Sequence, residues 1–385
     1  MAMCSYLLIN DIKSFFPLES SLSYYQVIIN PNFLIIIMFY ISIYYCIYHG
    51  IRKYNKWSEM MDRLKELDQN IRKEISMNDQ SIKIVETLAI FMTFTCPFLG
   101  IIINFLYNRL LYRIIEKLIT EIIINYIILA QFLIKNFVFD VVVYVLYCRF
   151  QTVNKLIGQL DKLSDMQCIA FKIRSVREFH AGICDVANMV NDIYGLYLLF
   201  CSADCFFIAM TGLINFYLAR NDNDLLLLIY AVIPIVLSMQ FCLICWICTL
   251  ACEESNRTGR IIHKIILNCK PVNLHKHDVS NQSSLEVRFS QEDSNGEQYS
   301  HCGSSHNTYV VENFLRRSLD QECVTKEVNE FSIQLQQMRV AFTACNFFEI
   351  NNSSYGCFVG VIVTYIITIL KLYPIPISEE YYKDI

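Results

Sequence analysis

Residues 225–252 read LLLLIYAVIPIVLSMQFCLICWICTLAC, a run that contains no charged side chain. About 20 such residues in a helix cross the hydrocarbon core of a bilayer. Because backbone polar groups find no water in that core, the run must be a helix rather than an open strand. The stretch therefore predicts a membrane-spanning helix.

Five other stretches are long and apolar enough to do the same; they cover residues 33–50, 84–107, 121–148, 189–217 and 355–373. The whole chain is 55% hydrophobic and 18% charged, against about 45–50% and about 25% in soluble domains. We predict an all-α, polytopic membrane helix bundle with at least six spans. Residues 1–32 carry only the weak apolar run MAMCSYLLIN, so a seventh span there is degenerate or missing.

Basic residues alternate between the connecting segments and give an orientation. Segments 51–83, 149–188 and 253–354 carry eight, six and ten Lys or Arg, whereas 108–120, 218–224 and 374–385 carry three, one and one. Loops rich in Lys and Arg stay in the cytoplasm, which makes the C-terminus extracellular. A G-protein-coupled receptor has its C-terminus in the cytoplasm, so this orientation excludes that class.

The chain divides into five predicted parts. These are the N-terminal segment 1–32, a transmembrane bundle with cytoplasmic helical extensions over 33–252, a cytoplasmic loop over 253–330, a cytoplasmic half-helix with the last span over 331–373, and an extracellular tail over 374–385. Apolar periodicity predicts an amphipathic helix over 331–350. Residues 270–310 lack such periodicity and are rich in Ser, Asn, Gln and His, which predicts a loosely ordered stretch.

Several function classes find no support in the sequence. There is no HExxH, GxSxG or phosphate-binding glycine loop, so we predict that the chain is not an enzyme and has no cofactor. The net charge of −4 gives no basic surface for nucleic acid. His301, Cys302 and His306 lie together by chance rather than as a metal site. A transporter would show internal repeats, and none is evident.

Four stretches resemble the insect gustatory receptors, a family of seven-transmembrane chemoreceptor channels related to insect odorant receptors. They are KYNKWSEMMDRLKELDQNI (53–71), HAGICDVANMVNDIYGLYLLF (180–200), EESNRTGRIIHKII (253–266) and FSIQLQQMRVAFTACNFFEINNSSYGCFVGVIVTYIITILKL (331–372). The last resembles the C-terminal signature of the family, Thr-Tyr, five apolar residues, then Gln-Phe. Here Thr364 and Tyr365 are kept, but Lys371 and Leu372 replace Gln and Phe.

This resemblance implies a ligand-gated, non-selective cation channel in the plasma membrane of gustatory neurons. The N-terminus would be cytoplasmic, and the subunits would form homo- or heterotetramers around a pore lined by the last span. A small-molecule tastant, a sugar or a bitter compound, would bind in the helix bundle. The alternative is a non-conducting or modulatory co-receptor subunit of the same family, because Lys371 places a cation near the end of the pore helix; a transporter is a weaker alternative.

The predicted orientation indicates candidate ligand-binding residues. Tyr126, Gln131, Phe207 and Asn215 would lie in the outer half of the bundle. Asp204 lies near the middle of its span, where a carboxylate usually faces a cavity or a polar partner. It is therefore either a ligand contact or a structural contact between helices. Thr364, Tyr365 and Lys371 are the candidate pore and gating residues.

Overall fold

The computed structural model describes residues 9, 31–77, 79–111, 116–160, 166–218, 224–269 and 304–372. Helices make up most of this part of the chain. They are α1 (Pro31–Arg52), α2 (Tyr54–Glu74), α3 (Gln80–Leu111), α4 (Glu116–Gly158), α5 (Met166–Leu218), α6 (Asp224–Cys269), α7 (Ser304–Gln337) and α8 (Asn352–Leu372). Two short strands, β1 (Thr343–Ala344) and β2 (Phe348–Glu349), lie between α7 and α8.

Each of the six predicted spans falls within one helix, namely α1, α3, α4, α5, α6 and α8 in turn, except that residue 373 lies outside the described residues. Within the part described in full, three segments are long and apolar enough to cross a membrane: Ala130–Gly158, Gln167–Ile214 and Pro234–Ile265. Asn352–Thr368 is a shorter apolar helix. The predicted weak first span and the tail 374–385 lie outside the described residues, apart from Ile9, Pro31 and Asn32.

The chain divides into two compact units, of which the first comprises Met1–Thr152, Phe179–Asn256 and Arg339–Ile385. Its core is apolar; fully buried side chains include Phe139, Leu146 and Phe150 of α4, Ile183 and Leu198 of α5, and Phe342. Helix α2 is amphipathic and buries Met60, Leu64, Leu67 and Ile71, which recur at helical spacing. This stripe packs one face of the helix and leaves the charged face exposed.

The second unit comprises Val153–Glu178 and Arg257–Met338. Its helical segments bury Ile157, Ile173, Ile262 and Phe331. The hydroxyl of Thr258 donates a buried hydrogen bond of 2.7 Å to the Asn154 side-chain oxygen. Such bonds satisfy polar groups that burial would otherwise leave without water.

At the rim of the second unit, Arg177 pairs with Glu327 at 3.3 Å and with Glu330. The hydrogen bond from the Arg177 guanidinium lowers the pKa of Glu330 and outweighs the small opposite effect of desolvation. These ion pairs join α5 and α7 beside the apolar core of this unit.

The predicted helix over 331–350 is wrong beyond Gln337, where α7 ends. The chain then forms an antiparallel hairpin in which Thr343 pairs with Glu349 and Ala344 with Phe348. Its turn passes through Cys345 and Asn346, whose φ angles are +56° and +62°. An L-residue adopts this left-handed region only in a turn, so the helix cannot continue through these two positions.

The predicted loosely ordered stretch also ends earlier than expected. Helix α7 begins at Ser304, so residues 304–310 are helical rather than loop. Helix α6 reaches Cys269, which places the start of the stretch after the helix. Residues 270–303 lie outside the described residues.

Candidate functional site

A cavity of about 150 Å³ opens among the helices of the first unit. The joint of α1 and α2 forms one side, and α4 and α5 form the other. Its aromatic lining is Tyr45, Tyr54, Trp57, Tyr194 and Tyr197, and its basic lining is His49, Lys53 and Lys135. Among the described residues that line it there is no carboxylate. We call this site the basic-aromatic cavity.

Contacts around the cavity fix its side chains. The Lys135 ammonium lies 5.8 Å from the centroid of the Tyr197 ring, within the range of a cation–π interaction. The Tyr197 hydroxyl in turn donates a 2.7 Å hydrogen bond to the Asn136 side-chain oxygen. On the other side, the Lys53 ammonium donates to the Asp192 carbonyl at 2.9 Å. Both cations are therefore held at defined positions.

Buried polar side chains lie on four helices of the first unit, and one of them, Asn136, bonds the cavity residue Tyr197. Asn136 and Asp140 of α4, Asp204 of α5, Gln240 of α6 and Ser42 of α1 are all buried. The Gln240 amide donates a 2.9 Å hydrogen bond to the Asp140 carboxyl. Hydrogen bonds between such side chains hold membrane helices together.

The predicted ligand residues do not meet in the basic-aromatic cavity. Asp204 is only 5% exposed and lies next to the Ser42 hydroxyl. Phe207 is half-buried and its ring centroid lies 5.8 Å from that of Phe206. Gln131 is exposed. None of these three lines the cavity.

Tyr126 and Asn215 lie on α4 and α5, but their side chains are outside what the structure describes. The structure therefore supports the burial of Asp204 without showing whether the five predicted residues share a site. The assignment of a ligand to them stays a prediction.

The predicted pore residues lie on α8, the last helix. Thr364, Tyr365 and Lys371 are all exposed. The Thr364 hydroxyl donates to the Gly360 carbonyl at 2.8 Å, which satisfies it within its own helix. The opposite side of α8 packs on the bundle through Phe358, whose ring lies 5.1 Å from Phe241 and 6.2 Å from Phe206.

The hairpin before α8 is attached to α5 by two residues whose role the sequence does not reveal. Asn191 donates from its amide to the Ala341 carbonyl and accepts a 3.1 Å bond from the Thr343 N–H. A Cβ on Gly195 would meet the Cys345 nitrogen at 3.3 Å and the Thr343 oxygen at 3.5 Å. The hairpin therefore lies directly against the α5 backbone.

Both residues belong to the stretch 180–200, one of the four that resemble gustatory receptors. In the same stretch His180 and Cys184 are brought together, with the thiol 3.6 Å from the ring Nδ1. Nothing in the sequence of this stretch identifies the hairpin as its partner.

Arg149, just beyond the predicted third span, is the centre of an ion cluster. It binds Asp68 of α2 at 2.6 Å and Asp79 at 3.2 Å, and Arg72 also pairs with Asp79. Partial burial would raise the pKa of Asp79, but hydrogen bonds from Arg72 and Arg149 outweigh it and hold the pKa below its ordinary value. Asp79 therefore carries a full charge at neutral pH.

Long apolar helices, buried polar contacts between them and a last helix packed on the bundle are typical of a polytopic helical membrane protein. The sequence profile of the 7tm chemosensory receptor family matches residues 2–283 and 311–370. The chain belongs to this family, which is one of receptors and not of enzymes. The predicted resemblance to insect chemoreceptors and the predicted all-α fold are thereby confirmed.

Two solved structures of the insect olfactory receptor OR5 from Machilis hrabei have a similar fold. In the first, 92% of this chain and 83% of that chain are covered, with a TM-score of 0.59 and 12% identity. The second, in complex with eugenol, covers 97% of this chain and 88% of that one, with a TM-score of 0.59 and 13% identity. At this identity the likeness establishes the fold alone. No curated protein sequence matches the chain significantly.

Proposed function

We propose that the chain is a subunit of a gustatory receptor, a non-selective cation channel of the taste-neuron plasma membrane that a small-molecule tastant opens. Family membership and the fold support a membrane chemoreceptor. The finer assignment to taste rests on the four stretches that resemble gustatory receptors. The ligand class, a sugar or a bitter compound, follows from the same resemblance.

The observation that carries the channel proposal is the exposed surface of α8. Gly356, Gly360, Thr364 and Thr368 recur every four residues and are exposed. A Cβ at Gly356 or Gly360 would meet nothing within 4 Å. Small residues at this spacing allow two membrane helices to approach closely. The α8 helices of several copies would pack through this stripe around a pore.

Aromatic contacts offer a path from a ligand to α8. Phe207 contacts Phe206, and Phe206 contacts Phe358 of α8, with ring centroids 5.8 Å and 6.2 Å apart. A tastant bound beside Asp204 and Phe207 would press on this chain of rings. It would open the pore only if it bound the open state more tightly than the closed one.

One observation favours the alternative of a modulatory subunit. Lys371 is exposed in the last turn of α8. A ring of such cations at a pore mouth would oppose the flow of cations. In that case the chain would conduct only in assemblies with other family members.

The test is to express the full chain alone in oocytes and record currents while sugars and bitter compounds are applied. We expect a ligand-evoked cation current that Asp204→Asn shifts to higher ligand concentration, by about tenfold if one charged hydrogen bond is lost. Asp185→Asn, an exposed position on the same helix, is the matched control. Surface expression without any evoked current would contradict the channel proposal and support the modulatory one.

A further inference from the structure

The basic-aromatic cavity has no part in the proposed tastant site, yet its chemistry is specific. Two ammonium groups and an imidazole line it together with five aromatic rings. Lys53 and Lys135 both lie close enough to His49 to act on it electrostatically. A concave site with this lining favours an anion that has a small apolar or ring-shaped portion.

The size of the cavity limits what it holds. Pockets for drug-sized ligands measure about 300–1,000 Å³, whereas this one measures about 150 Å³. It therefore fits a group of a few heavy atoms, such as a phosphate ester, rather than a disaccharide or an alkaloid. This difference separates it from a tastant site.

The charges are placed to receive such a group. An ammonium has three donors, and the Asp192 carbonyl takes one from Lys53. The carboxylate of Asp192 is exposed and pairs with Lys56 at 3.5 Å. Among the described residues that line the cavity, none supplies a carboxylate opposite the two ammonium groups.

The position of the cavity points to the membrane surface. It lies where α1 ends and α2 begins, beside the basic segment 51–83 that we predict to be cytoplasmic, and Lys135 of the predicted third span reaches it from α4. Tyr48 and Tyr54 stand exposed beside it, at 54% and 70%. Tyrosine and tryptophan gather at the depth of lipid headgroups, and basic pockets between helices on the cytoplasmic side bind phosphorylated headgroups.

We propose that the basic-aromatic cavity binds the phosphate-bearing headgroup of an anionic lipid from the leaflet at this end of the bundle. Lys53 and Lys135 would contact the phosphate, and Trp57 and the tyrosines would hold the apolar part of the headgroup. A soluble phosphate ester offers the same chemistry, so the source is tested separately. The proposal does not rest on the channel function, because it concerns binding alone.

The experiment uses the purified full chain in nanodiscs of phosphatidylcholine, titrated with a fluorescent phosphatidic acid, whose headgroup is a single phosphate ester. The Lys53→Gln/Lys135→Gln variant should bind about 25-fold more weakly, about fivefold for each charge near the surface. The Lys53→Arg/Lys135→Arg variant should keep most of the affinity. Lys65→Gln, an exposed position on the outer face of α2, is the matched control and should not change it.

Two results would contradict the proposal. Equal binding by the double glutamine variant, or an equal loss in Lys65→Gln, would mean that surface charge and not the cavity attracts the lipid. Inorganic phosphate or soluble glycerol 3-phosphate binding as tightly as the lipid would assign the site to a solute. If the double glutamine variant unfolds in a melting assay, the single Lys53→Gln variant replaces it, with about fivefold weaker binding expected.

Discussion

Asn191 shows how one side chain can replace a strand. Its amide donates to the Ala341 carbonyl, and its oxygen accepts from the Thr343 N–H. These are the bonds that a neighbouring strand would make with an exposed hairpin edge. A two-stranded hairpin is marginal by itself, so this one depends on α5 for its stability.

We expect Asn191→Ala to destabilise the protein by about 2 kcal/mol, because two hydrogen bonds are lost and backbone groups in the hairpin lose their partners. Thermal unfolding of the purified protein in detergent measures the change. Asn188→Ala, exposed on the same helix, is the control and should alter stability by less than about 0.5 kcal/mol. Equal melting temperatures for the two variants would show that the hairpin does not need α5.

At the scale of elements, the ion cluster joins three parts of the first unit. Arg149 is 5% exposed at its side chain, whereas Asp68 and Asp79 are 23% and 20% exposed. A guanidinium buried to this extent needs its carboxylates. The cluster thereby holds α2 and the segment before α3 against α4.

Arg149→Met should cost about 3 kcal/mol at neutral pH, because it leaves two partly buried carboxylates without their shared cation. The pKa of Asp79 is lowered in the folded protein, so its stabilisation is present above the ordinary value of about 3.9 and is lost as the pH falls through the folded pKa. The gap in melting temperature between wild type and variant should therefore narrow below about pH 4.

Arg63→Met, at an exposed pair with Glu59, should cost less than about 1 kcal/mol at every pH. A gap that stays constant on acidification would exclude the cluster as its cause.

The helices and the hairpin differ in how well the sequence alone predicts them. Long apolar runs predicted the six helices of the spans, because length and hydrophobicity decide that case without knowledge of neighbours. The sequence did not predict the hairpin because each of its strands has only two residues. That is too short for an alternation of apolar and polar residues to be recognised. Arg149 and its partner Asp68 are 81 residues apart in the sequence. A local sequence pattern therefore cannot predict that they form an ion pair.

The same limit applies to the candidate site. The position of Asp204 inside its span indicated a buried carboxylate, and the structure buries it. The basic-aromatic cavity was not predicted, because its lining comes from three separate stretches of sequence. Only the fold brings Lys53 and Lys135 to one place.

At the scale of the whole molecule, the stripe on α8 leads to a prediction about assembly. Gly360→Leu should leave each subunit folded, since a Cβ there meets nothing within 4 Å. It should prevent the close approach of helices from different copies and convert the tetramers that we propose into smaller species. Mass photometry of the purified protein measures the particle mass. Val363→Leu, exposed on the same helix, is the control. A particle mass that Gly360→Leu leaves unchanged would show that the stripe is not part of an interface between copies.

The attachment of the hairpin at Gly195 has a mechanical consequence. The hairpin holds the N-terminal end of α8 against α5, so that α8 can tilt about this end. Helix α8 has 21 residues and is therefore about 30 Å long. A tilt of about 5° at this end displaces the far end, where Lys371 lies, by roughly 3 Å. In the channel that we propose, a motion small enough to leave both Asn191 hydrogen bonds intact would thus widen the pore at the other end of the helix.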